Sequence, residues 1–549
     1  MRTALGLALA TLAVAVVTRG EPARALSPVP PPAVVTDSFA SLAAWEHGDT
    51  ARVRRGAGPR HDSPAADVAG SSLRADLGID RPAISLDVRI PRGGVIHLGE
   101  LRISRGQGRT WRLAVGDWRR RARGARGWRH VQVSTGRLAV DGRRMRPPLA
   151  PGADLAIRGD GRVSGLVATR DDDARALLVH RVAALHAAAP RDKWPLATDR
   201  AGGLHYSNSW TTGFWPGALW RASDLTTRGD LFMRWAGAAT KRHLKRRAFE
   251  THDLGFMYGH SSVAAYERRC HLRDDDDALC FRLLASGLDA AAQLAALADS
   301  NRAAGTIPTR RDGACSECPP QVADTIIDSL MNLRLLTWAA TEGDRPGYRD
   351  LALQHAAAVA RLMIRDDGST FQSVHFRRSD GAVLKRHTHQ GFADEGTWSR
   401  GQAWAIFGYA QTAGTLDDAA SLATAERVAA YFGDHLPASG LPLYDFAAPP
   451  DAPVDASAAV IAAAGLYRLG AACARLGGCA APDRWRPLAD RLLGAALGRV
   501  RTRPPLGFLG DQVYTYGGSW DWDDDAELVF GLDYALEAVA GSLGRTLSD

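Results

Sequence analysis

The feature that most constrains the fold is a change of pattern at residues 171–173, where short alternating segments give way to Ala- and Leu-rich segments. Twelve segments after this point place apolar residues at helical spacing, and no convincing long strand lies among them. Twelve helices fit six hairpins closed into an (α/α)6 barrel, although the spacing alone would also allow an open helical array. The predicted helices lie near residues 176–189, 215–224, 230–245, 257–269, 277–298, 323–341, 346–364, 399–414, 417–433, 456–475, 484–498 and 525–542.

The part of the chain before the helices has the pattern of an all-β domain. We predict a jelly-roll-like β-sandwich over residues 37–172, followed by an all-α barrel domain over residues 173–549. The 549 residues exceed what one hydrophobic core usually supports, in agreement with a multidomain chain. Gly- and Arg-rich turns separate segments that alternate apolar and polar residues, at 83–90, 111–115, 128–133 and 137–141.

The amino-terminal residues 1–25 have the pattern of an export signal. Arg2 supplies a positive start, residues 4–17 are largely apolar, and Ala23-Arg-Ala25 is a small-x-small cleavage site. An uncleaved membrane anchor is the alternative, but the apolar run is too short to span a bilayer and no later stretch qualifies. We therefore expect a secreted, periplasmic or cell-surface bacterial protein without stable membrane insertion, with a Pro-rich linker over residues 26–36.

The charge of the chain is concentrated in its front part. The formal net charge is +8, and residues 26–170 are rich in arginine and contain no lysine. In an exported protein, this basic region suggests an acidic polysaccharide as partner of the β domain, and not a nucleic acid. An arginine-rich composition without any meaning for binding is the alternative, and the sequence leaves that open.

The cysteines suggest local disulfides, which export would permit. The Cys315-Ser-Glu-Cys318 segment could also be a redox or zinc motif, but no second C-x-x-C completes a zinc site. We therefore expect a structural loop there, while other pairings remain open. The simplest pairs are Cys270 with Cys280, Cys315 with Cys318, and Cys473 with Cys479.

Four polar segments of the helical part carry residue types suited to an acidic sugar. In residues 388–407, Gln390 and Arg400 offer planar donors that can pair with a carboxylate. The indoles of Trp398 and Trp404 offer flat apolar faces for a sugar ring. The other three segments are His252-Asp253 before a helix, residues 324–333, where Asp328 interrupts an apolar helical run, and residues 210–220 with Trp210 and Trp215.

Together, and in this order, the four segments resemble glycoside hydrolase family 88, the unsaturated glucuronyl hydrolases, over roughly residues 176–549. The resemblance implies an (α/α)6 barrel that removes a 4,5-unsaturated uronic acid from the non-reducing end of oligosaccharides left by polysaccharide lyases. The reaction would proceed by hydration of the C4=C5 double bond. The resemblance implies no cofactor and no metal.

The resemblance places the general acid/base on Asp328 and a second essential aspartate on Asp253. Desolvation among apolar neighbours would raise the pKa of Asp328, and a nearby carboxylate would raise it further. A raised pKa suits a general acid that works near neutral pH. The alternatives are an ion pair of Asp328 with Arg334 and a helix N-cap role for Asp253.

The other candidates are expected to bind substrate. Arg400 would hold the uronate carboxylate, and the alternative role for Arg400 is a surface ion pair. Gln390 and His252 would hold hydroxyl groups or water. His375 is a weaker candidate because its neighbourhood departs from the family pattern. Four tryptophans would stack on sugar rings, although each could instead belong to the core: Trp210, Trp215, Trp398 and Trp404.

Some segments contain side chains of the types that bind metals, but we expect no metal there. His387-Thr-His389 has ligand-type side chains but no carboxylate at helical spacing. Asp274 to Asp277 and residues 521–525 do not match a calcium-binding EF-hand loop.

Three alternatives to the predicted function remain open. The first is an unsaturated rhamnogalacturonyl-type hydrolase on the same barrel, and the second is a polysaccharide lyase on an α/α toroid. The third is a non-catalytic protein that binds acidic glycans through its front domain. The presence of both Asp253 and Asp328 favours the hydrolase.

Overall fold

The structure is a computed structural model, and it describes the chain in separate stretches. Before residue 171 it describes the backbone of short strands between Val34 and Arg170. The predicted export signal, the residues 28–32 of the linker and the Cys315–Cys318 pair lie outside the described residues. The later described stretches are 174–199, 202–226, 231–246, 250–270, 278–311, 319–500, 509–518 and 525–545.

The strands of the front part pair antiparallel, as the alternating pattern predicts. They are β1 Val34–Asp37, β2 Glu46–His47, β3 Arg54–Ala57, β4 Pro64–Asp67, β5 Ser71–Ala75, β6 Pro82–Arg89, β7 Val95–Leu98, β8 Leu101–Arg105, β9 Trp111–Leu113, β10 Trp128–Val133, β11 Leu138–Val140, β12 Arg143–Met145, β13 Leu155–Gly159 and β14 Arg162–Arg170. One sheet has the order β10-β6-β14-β4-β3, with β1 also on β14, and a second has the order β2-β5-β13-β7-β8-β9. A hairpin joins β11 to β12. The packing of the two sheets into a sandwich stays a prediction, as do the domain boundaries.

Helices dominate the rest of the chain. Two short 3-10 helices, Trp210–Gly213 and Ile327–Asn332, and a π-helix, Gly255–Val263, accompany them. The α-helices among the described residues are α1 Ala174–Ala188, α2 Phe214–Asp224, α3 Leu231–His243, α4 Ala264–Arg269, α5 Ala278–Asp299, α6 Leu333–Glu342, α7 Gly347–Met363, α8 Ser399–Leu416, α9 Ala419–Asp434, α10 Ala456–Leu476, α11 Pro482–Leu497 and α12 Val529–Ser542.

Six of these segments form a closed inner ring. Around the ring, α2 contacts the π-helix, which contacts α6, and α6, α8, α10 and α12 follow in sequence. Helix α12 then contacts α2, which closes the circle. An outer layer surrounds it, in which each helix packs against two neighbouring inner segments: α3, α5, α7, α9, α11 and α1. The described helices therefore form the predicted double ring and not an open array.

The inner helices are buried on almost every side, as helices enclosed by others must be. Nearly every residue of α8 and α12 is buried, whereas outer helices such as α9 and α11 bury one face. Helices α5 and α10 are also long and apolar enough to meet the length and composition of a membrane span, which the sequence prediction had not recognised. Both lie in the double ring, where α8, α11 and α12 cover α10.

Two predicted helices begin with strands instead. The segment predicted as helix 323–341 starts with β17 Val322–Ile326, and that predicted as 525–542 starts with β20 Glu527–Leu528. Both segments pair with strands that are distant in the chain, and this pairing overrides the helical spacing. The small sheets are β16-β15-β20 and β17-β18-β19, with β15 Pro195–Thr198, β16 Leu204–Tyr206, β18 Ser373–Arg377 and β19 Val383–His387.

Two of the predicted disulfides are confirmed. One joins Cys270 to Cys280 and so ties the end of α4 to the first turn of α5. The other joins Cys473 to Cys479 around the end of α10.

The close approach of α8 and α10 gives a test of the inner ring. A Cβ atom added at Gly465 of α10 would lie 2.8 Å from the backbone N and Cα of Phe407 in α8. At Gly470, in the same helix, no heavy atom of the described residues lies within 4 Å of that position. We expect Gly465→Ala to lower the free energy of unfolding by about 1–3 kcal/mol, because the helices must separate. Urea unfolding measures this change.

Gly470→Ala is the matched control. It should raise the free energy of unfolding by about 0.5–1 kcal/mol, because alanine favours the helix and meets no obstacle. Equal stability of the two variants would contradict the close contact of α8 and α10.

Candidate active site

Two irregular helices hold the predicted catalytic carboxylates close to each other. Asp253 comes just before the π-helix, and Asp328 is the second residue of the 3-10 helix Ile327–Asn332. The segments meet at Gly255, where an added Cβ would lie 2.4 Å from the Cα of Asn332. The Asn332 side chain also accepts a hydrogen bond from the Phe256 N–H at 2.9 Å. Irregular helices of this kind often occur at functional sites.

Asp328 is a nearly desolvated carboxyl group. It is 7% exposed, and its Oδ1 has no hydrogen-bond partner among the described residues. Burial raises the pKa of Asp328 to about 6, and the negative charge of Asp253 also raises it. The charges of His252 and Arg400 act in the opposite direction. Arg334, the alternative partner in the sequence, instead donates to Glu267 at 2.6 Å.

Asp253 forms a pair with its neighbour His252. The His252 Nε2 lies 3.1 Å from one Asp253 oxygen, and the Thr251 hydroxyl donates to the other at 2.9 Å. The side chain of Asp253 is thus held by the residues just before it, whereas the π-helix has Leu254 as its N-cap, without a side-chain hydrogen bond. Asp253 is therefore not the N-cap of this helix, and its role in the site stays a prediction.

Arg400 lies at the start of α8, and its guanidinium group forms an ion pair and hydrogen bonds with other residues of the protein. Its side chain is 1% exposed, and its Nη1 lies 2.9 Å from the Asp455 carboxylate, which is fully buried. The same guanidinium donates to the carbonyls of Val513 and Tyr514. The surface ion pair considered as the alternative is therefore wrong, because the pair is buried. A direct contact of Arg400 with a uronate stays a prediction.

Gln390 is fixed by a second glutamine that the sequence did not single out. Gln390 donates to the Tyr514 carbonyl at 3.1 Å and accepts from Gln372 at 2.8 Å. The Gln372 Oε1 accepts from the backbone N–H groups of His389 and Gln390, at 2.9 and 3.1 Å, and from the Thr388 hydroxyl. Gln372 therefore fixes the conformation of the loop at residues 388–390. The sequence gave no signal for this role, because Gln372 is a single glutamine just before a strand.

Asp445 is a second residue that the sequence analysis missed. It is fully buried and accepts hydrogen bonds from the backbone N–H groups of Phe392 and Thr397, at 3.0 and 3.1 Å. A Cβ added at Gly396 would lie 2.9 Å from an Asp445 oxygen, so the loop needs glycine there. Asp445 thereby holds the loop that connects Gln390 to Trp398.

The four tryptophans differ in their surroundings. Trp404 has no exposed surface and packs against Phe256 and Tyr534, which favours the alternative of a core residue, while its contact with a sugar stays a prediction. Its place on an inner helix of the ring explains this burial. Trp215 is 4% exposed and its ring stacks against His186.

The contact with a sugar also stays a prediction for Trp210, Trp398 and Trp215, and Trp215 is as little exposed as Trp398. Trp210 is half-buried and packs against Phe256 and Phe530, with ring centroids 5.4 Å apart in both cases. Trp398 is 4% exposed, and the Arg400 guanidinium lies 4.5 Å from the centre of its ring.

His375 belongs to a different group of side chains. It lies on β18, directly opposite Asp324 of β17, and its ring centre is 4.2 Å from that of His387. Burial lowers the pKa of His375, and the nearby Lys385 lowers it further. None of its contacts described here involves Asp253 or Asp328.

Comparison with known proteins gives a consistent set of relatives, while no family model matches the chain. An "Unsaturated glucuronyl hydrolase" of Bacillus sp. (strain GL1) is 34% identical over 287 residues, which are 51% of this chain and 72% of the relative. An "Unsaturated chondroitin disaccharide hydrolase" of Streptococcus pneumoniae is 31% identical over 281 residues, 50% of this chain and 67% of the relative.

Solved structures agree with these relatives. The crystal structure of the Bacillus sp. GL1 unsaturated glucuronyl hydrolase, described as responsible for the degradation of glycosaminoglycan, matches with a TM-score of 0.58 and 28% identity. The match covers 67% of this chain and 94% of that one. An unsaturated glucuronyl hydrolase specific for heparin matches with a TM-score of 0.57 and 26% identity, over 67% of this chain and 95% of the other.

The desolvation of Asp328 predicts a stability that depends on pH. The folded-state pKa of about 6 exceeds the ordinary value of 3.8. Between pH 3.8 and pH 6 the folded protein therefore binds a proton that the unfolded chain has lost. As the pH rises through 6, Asp328 becomes charged in the folded protein, and the free energy of unfolding is lower than it would be with a neutral side chain. We expect Asp328→Asn to raise the free energy of unfolding by about 1–3 kcal/mol at pH values above 7. The gain should shrink as the pH falls below 6. Urea unfolding across this pH range measures it.

Asp366→Asn serves as the control, because Asp366 is exposed in a turn after α7. It should change stability little at any pH. An equal gain for Asp328→Asn at all pH values, or none above pH 7, would show that Asp328 is not desolvated as described.

Proposed function

The chain belongs to the unsaturated glucuronyl hydrolases, family 88 of the glycoside hydrolases, and we propose that Asp328 is its general acid and base. The observation that carries this proposal is the desolvated Asp328 with its pKa raised to about 6, beside the His252–Asp253 pair. A general acid works best when its pKa lies near the operating pH. The proposed substrates are oligosaccharides that end in a 4,5-unsaturated uronic acid.

In the proposed reaction, Asp328 first donates its proton to C4 of the unsaturated sugar. The electrons of the C4=C5 bond form the new C4–H bond, which leaves an oxocarbenium-like centre at C5. Water attacks C5 and loses a proton to the Asp328 carboxylate, so the same residue acts as acid and then as base. The resulting hemiketal opens the ring, and collapse at C1 releases the neighbouring sugar.

The neighbours of Asp328 support these two roles. The negative charge of Asp253 favours the protonated acid before the reaction, whereas the positive charges of His252 and Arg400 favour the carboxylate. Burial, which raises the pKa most, and these opposing charges together bring the pKa to about 6, where both forms are accessible. The His252–Asp253 pair also offers polar atoms to a water molecule or a sugar hydroxyl, in agreement with the binding role predicted for His252.

The substrate class rests on the relatives. Those named above act, by their names, on unsaturated glucuronyl or chondroitin disaccharides, and one is specific for heparin. For this chain we propose unsaturated disaccharides of the glycosaminoglycan type as substrates. Export by the amino-terminal signal, and binding of acidic polysaccharide by the arginine-rich front part, are further proposals that rest on the sequence alone.

Loss of the conjugated double bond gives a direct test. The wild type should remove the ultraviolet absorbance of unsaturated disaccharides prepared with chondroitin, hyaluronan or heparin lyases. Because Asp328→Asn keeps the shape but cannot exchange the proton, its kcat should fall by about 10²–10⁴-fold. Wild-type kcat should fall as the pH rises above about 6, where Asp328 loses its proton.

Asp366→Asn, at an exposed turn, should retain the wild-type rate. Full activity of Asp328→Asn would remove this residue from the reaction. No loss of absorbance with any glycosaminoglycan disaccharide, together with activity on unsaturated rhamnogalacturonan products, would move the protein to the other substrate class. No activity on either class would favour a binding protein.

The contact between the two irregular helices gives a second test of the site. Gly255→Ala places a methyl group against the Asn332 backbone and should shift Asp253 relative to Asp328. Since displacements of about 1 Å can cost 10²-fold in rate, we expect kcat to fall by about that factor. Gly259→Ala is the control in the same π-helix, because no heavy atom of the described residues lies within 4 Å of its Cβ position. Equal rates for the two variants would contradict the proposed coupling.

A further inference from the structure

The small sheet β17-β18-β19 carries a group of metal-ligand side chains on one face. Asp324 of β17 pairs directly with His375 of β18, and His387 of β19 lies opposite Ser373, two residues before His375. Because side chains alternate along a strand, all four point to the same face of the sheet. One ligand atom each from Asp324, His375 and His387 lies within 4.8 Å of the other two.

Several polar atoms of this group are buried without a partner. The Asp324 Oδ1, the Ser373 Oγ and the His387 Nε2 make no hydrogen bond with any described residue. Buried polar atoms are nearly always hydrogen-bonded, so three exceptions on one sheet face need an explanation. The rings of His375 and His387 meet at an angle of 64°, edge to face. A bound cation would satisfy the unpaired carboxylate oxygen and imidazole nitrogen together.

The charges around the group partly balance. Lys385 lies near both histidines and would oppose a cation, as would Arg310 near Asp324, while the carboxylate of Asp394 acts in the other direction on His387. Lys385 and Asp394 lie 3.4 Å from each other, which reduces the net repulsion. Both are exposed to solvent to a large extent, where charges are screened.

We propose that Asp324, His375 and His387 bind a divalent first-row transition-metal ion, for which zinc is the probe. Two imidazoles and one carboxylate form a donor set that suits zinc, with a fourth position open to water. Zinc bonds of about 2.0–2.1 Å place tetrahedral ligands about 3.4 Å from each other, so ligand atoms that now lie within 4.8 Å must approach by at most about 1.4 Å. The carboxylate that seemed absent near His387 in the sequence comes from an earlier strand, β17.

Such an ion would join all three strands of the sheet. Strand β17 leads directly into the 3-10 helix that carries Asp328, and the charge of His252 already acts on Asp324. The ion would therefore stabilise the sheet next to the candidate active site. Binding of the metal does not depend on the proposed reaction, because it can be measured without any substrate.

The test is titration of the chelator-treated full-length protein with zinc chloride near neutral pH, by calorimetry. The wild type should bind one equivalent, and X-ray absorption should show two imidazole nitrogens and oxygen ligands. We expect His375→Ala, His387→Ala and Asp324→Asn each to weaken binding at least about tenfold. His435→Ala should bind like the wild type, because His435 is an exposed residue that hydrogen-bonds the Tyr431 carbonyl.

Thermal unfolding with chelator checks that each variant folds. Zinc should raise the melting temperature of the wild type and of the control His435→Ala, but not that of the three ligand variants. Absence of stoichiometric zinc, or unchanged affinity in all three ligand variants, would overturn the proposal. If the variants do not fold, the X-ray absorption of the wild type decides, because a ligand set without two imidazoles also overturns it.

Discussion

The buried ion pair between Arg400 and Asp455 is the interaction on which the site architecture depends. It joins the first turn of α8 to the N-cap of α10, and Asp455 also accepts from the Ser457 N–H and hydroxyl. Through the Tyr514 carbonyl, Arg400 shares an acceptor with Gln390. Two inner helices and two loops thus converge on one charge pair. Removing one partner of such a pair typically costs about 3–5 kcal/mol, because the other charge is left buried alone.

The site combines charges that are satisfied with one that is not. Arg400 and Asp455 neutralise each other and Asp445 accepts several backbone N–H groups, so these charges support the loops. Asp328, in contrast, has an oxygen without a partner and a pKa near 6. An enzyme accepts the cost of such a group where proton transfer requires it. In the proposed reaction, Asp328 would therefore differ from the supporting carboxylates Asp445 and Asp455 in its hydrogen bonding, and not in its burial.

Much of the architecture could be predicted from the sequence, and the limits have physical causes. Helical spacing predicted the rings, and the resemblance of local segments to a known family singled out Asp253 and Asp328. Spacing could not show that residues 322–326 form a strand, because that depends on pairing with β18, which is distant in the chain. It also could not show the burial of Trp404, since an inner helix of a ring has no exposed face.

The partners of the polar side chains were the least predictable part. Arg400 pairs with Asp455, and Asp324 faces His375 and His387, through contacts that join separate segments of the chain. Gln372 and Asp445 act through backbone N–H groups, which every sequence offers at almost every position. Residue types alone therefore suggested the chemistry of the site but not which donors were already occupied.

The closed ring has a consequence for the order in which the protein assembles. Helix α12 ends at Ser542 and contacts α2, which begins at Phe214, so the closing contact joins the two ends of the barrel sequence. Contacts between such distant segments are slow to form, because most of the chain must be ordered before they are gained. During synthesis, hairpins such as α8 and α9 can form early, yet the inner wall stays open between α10 and α2 until α12 leaves the ribosome.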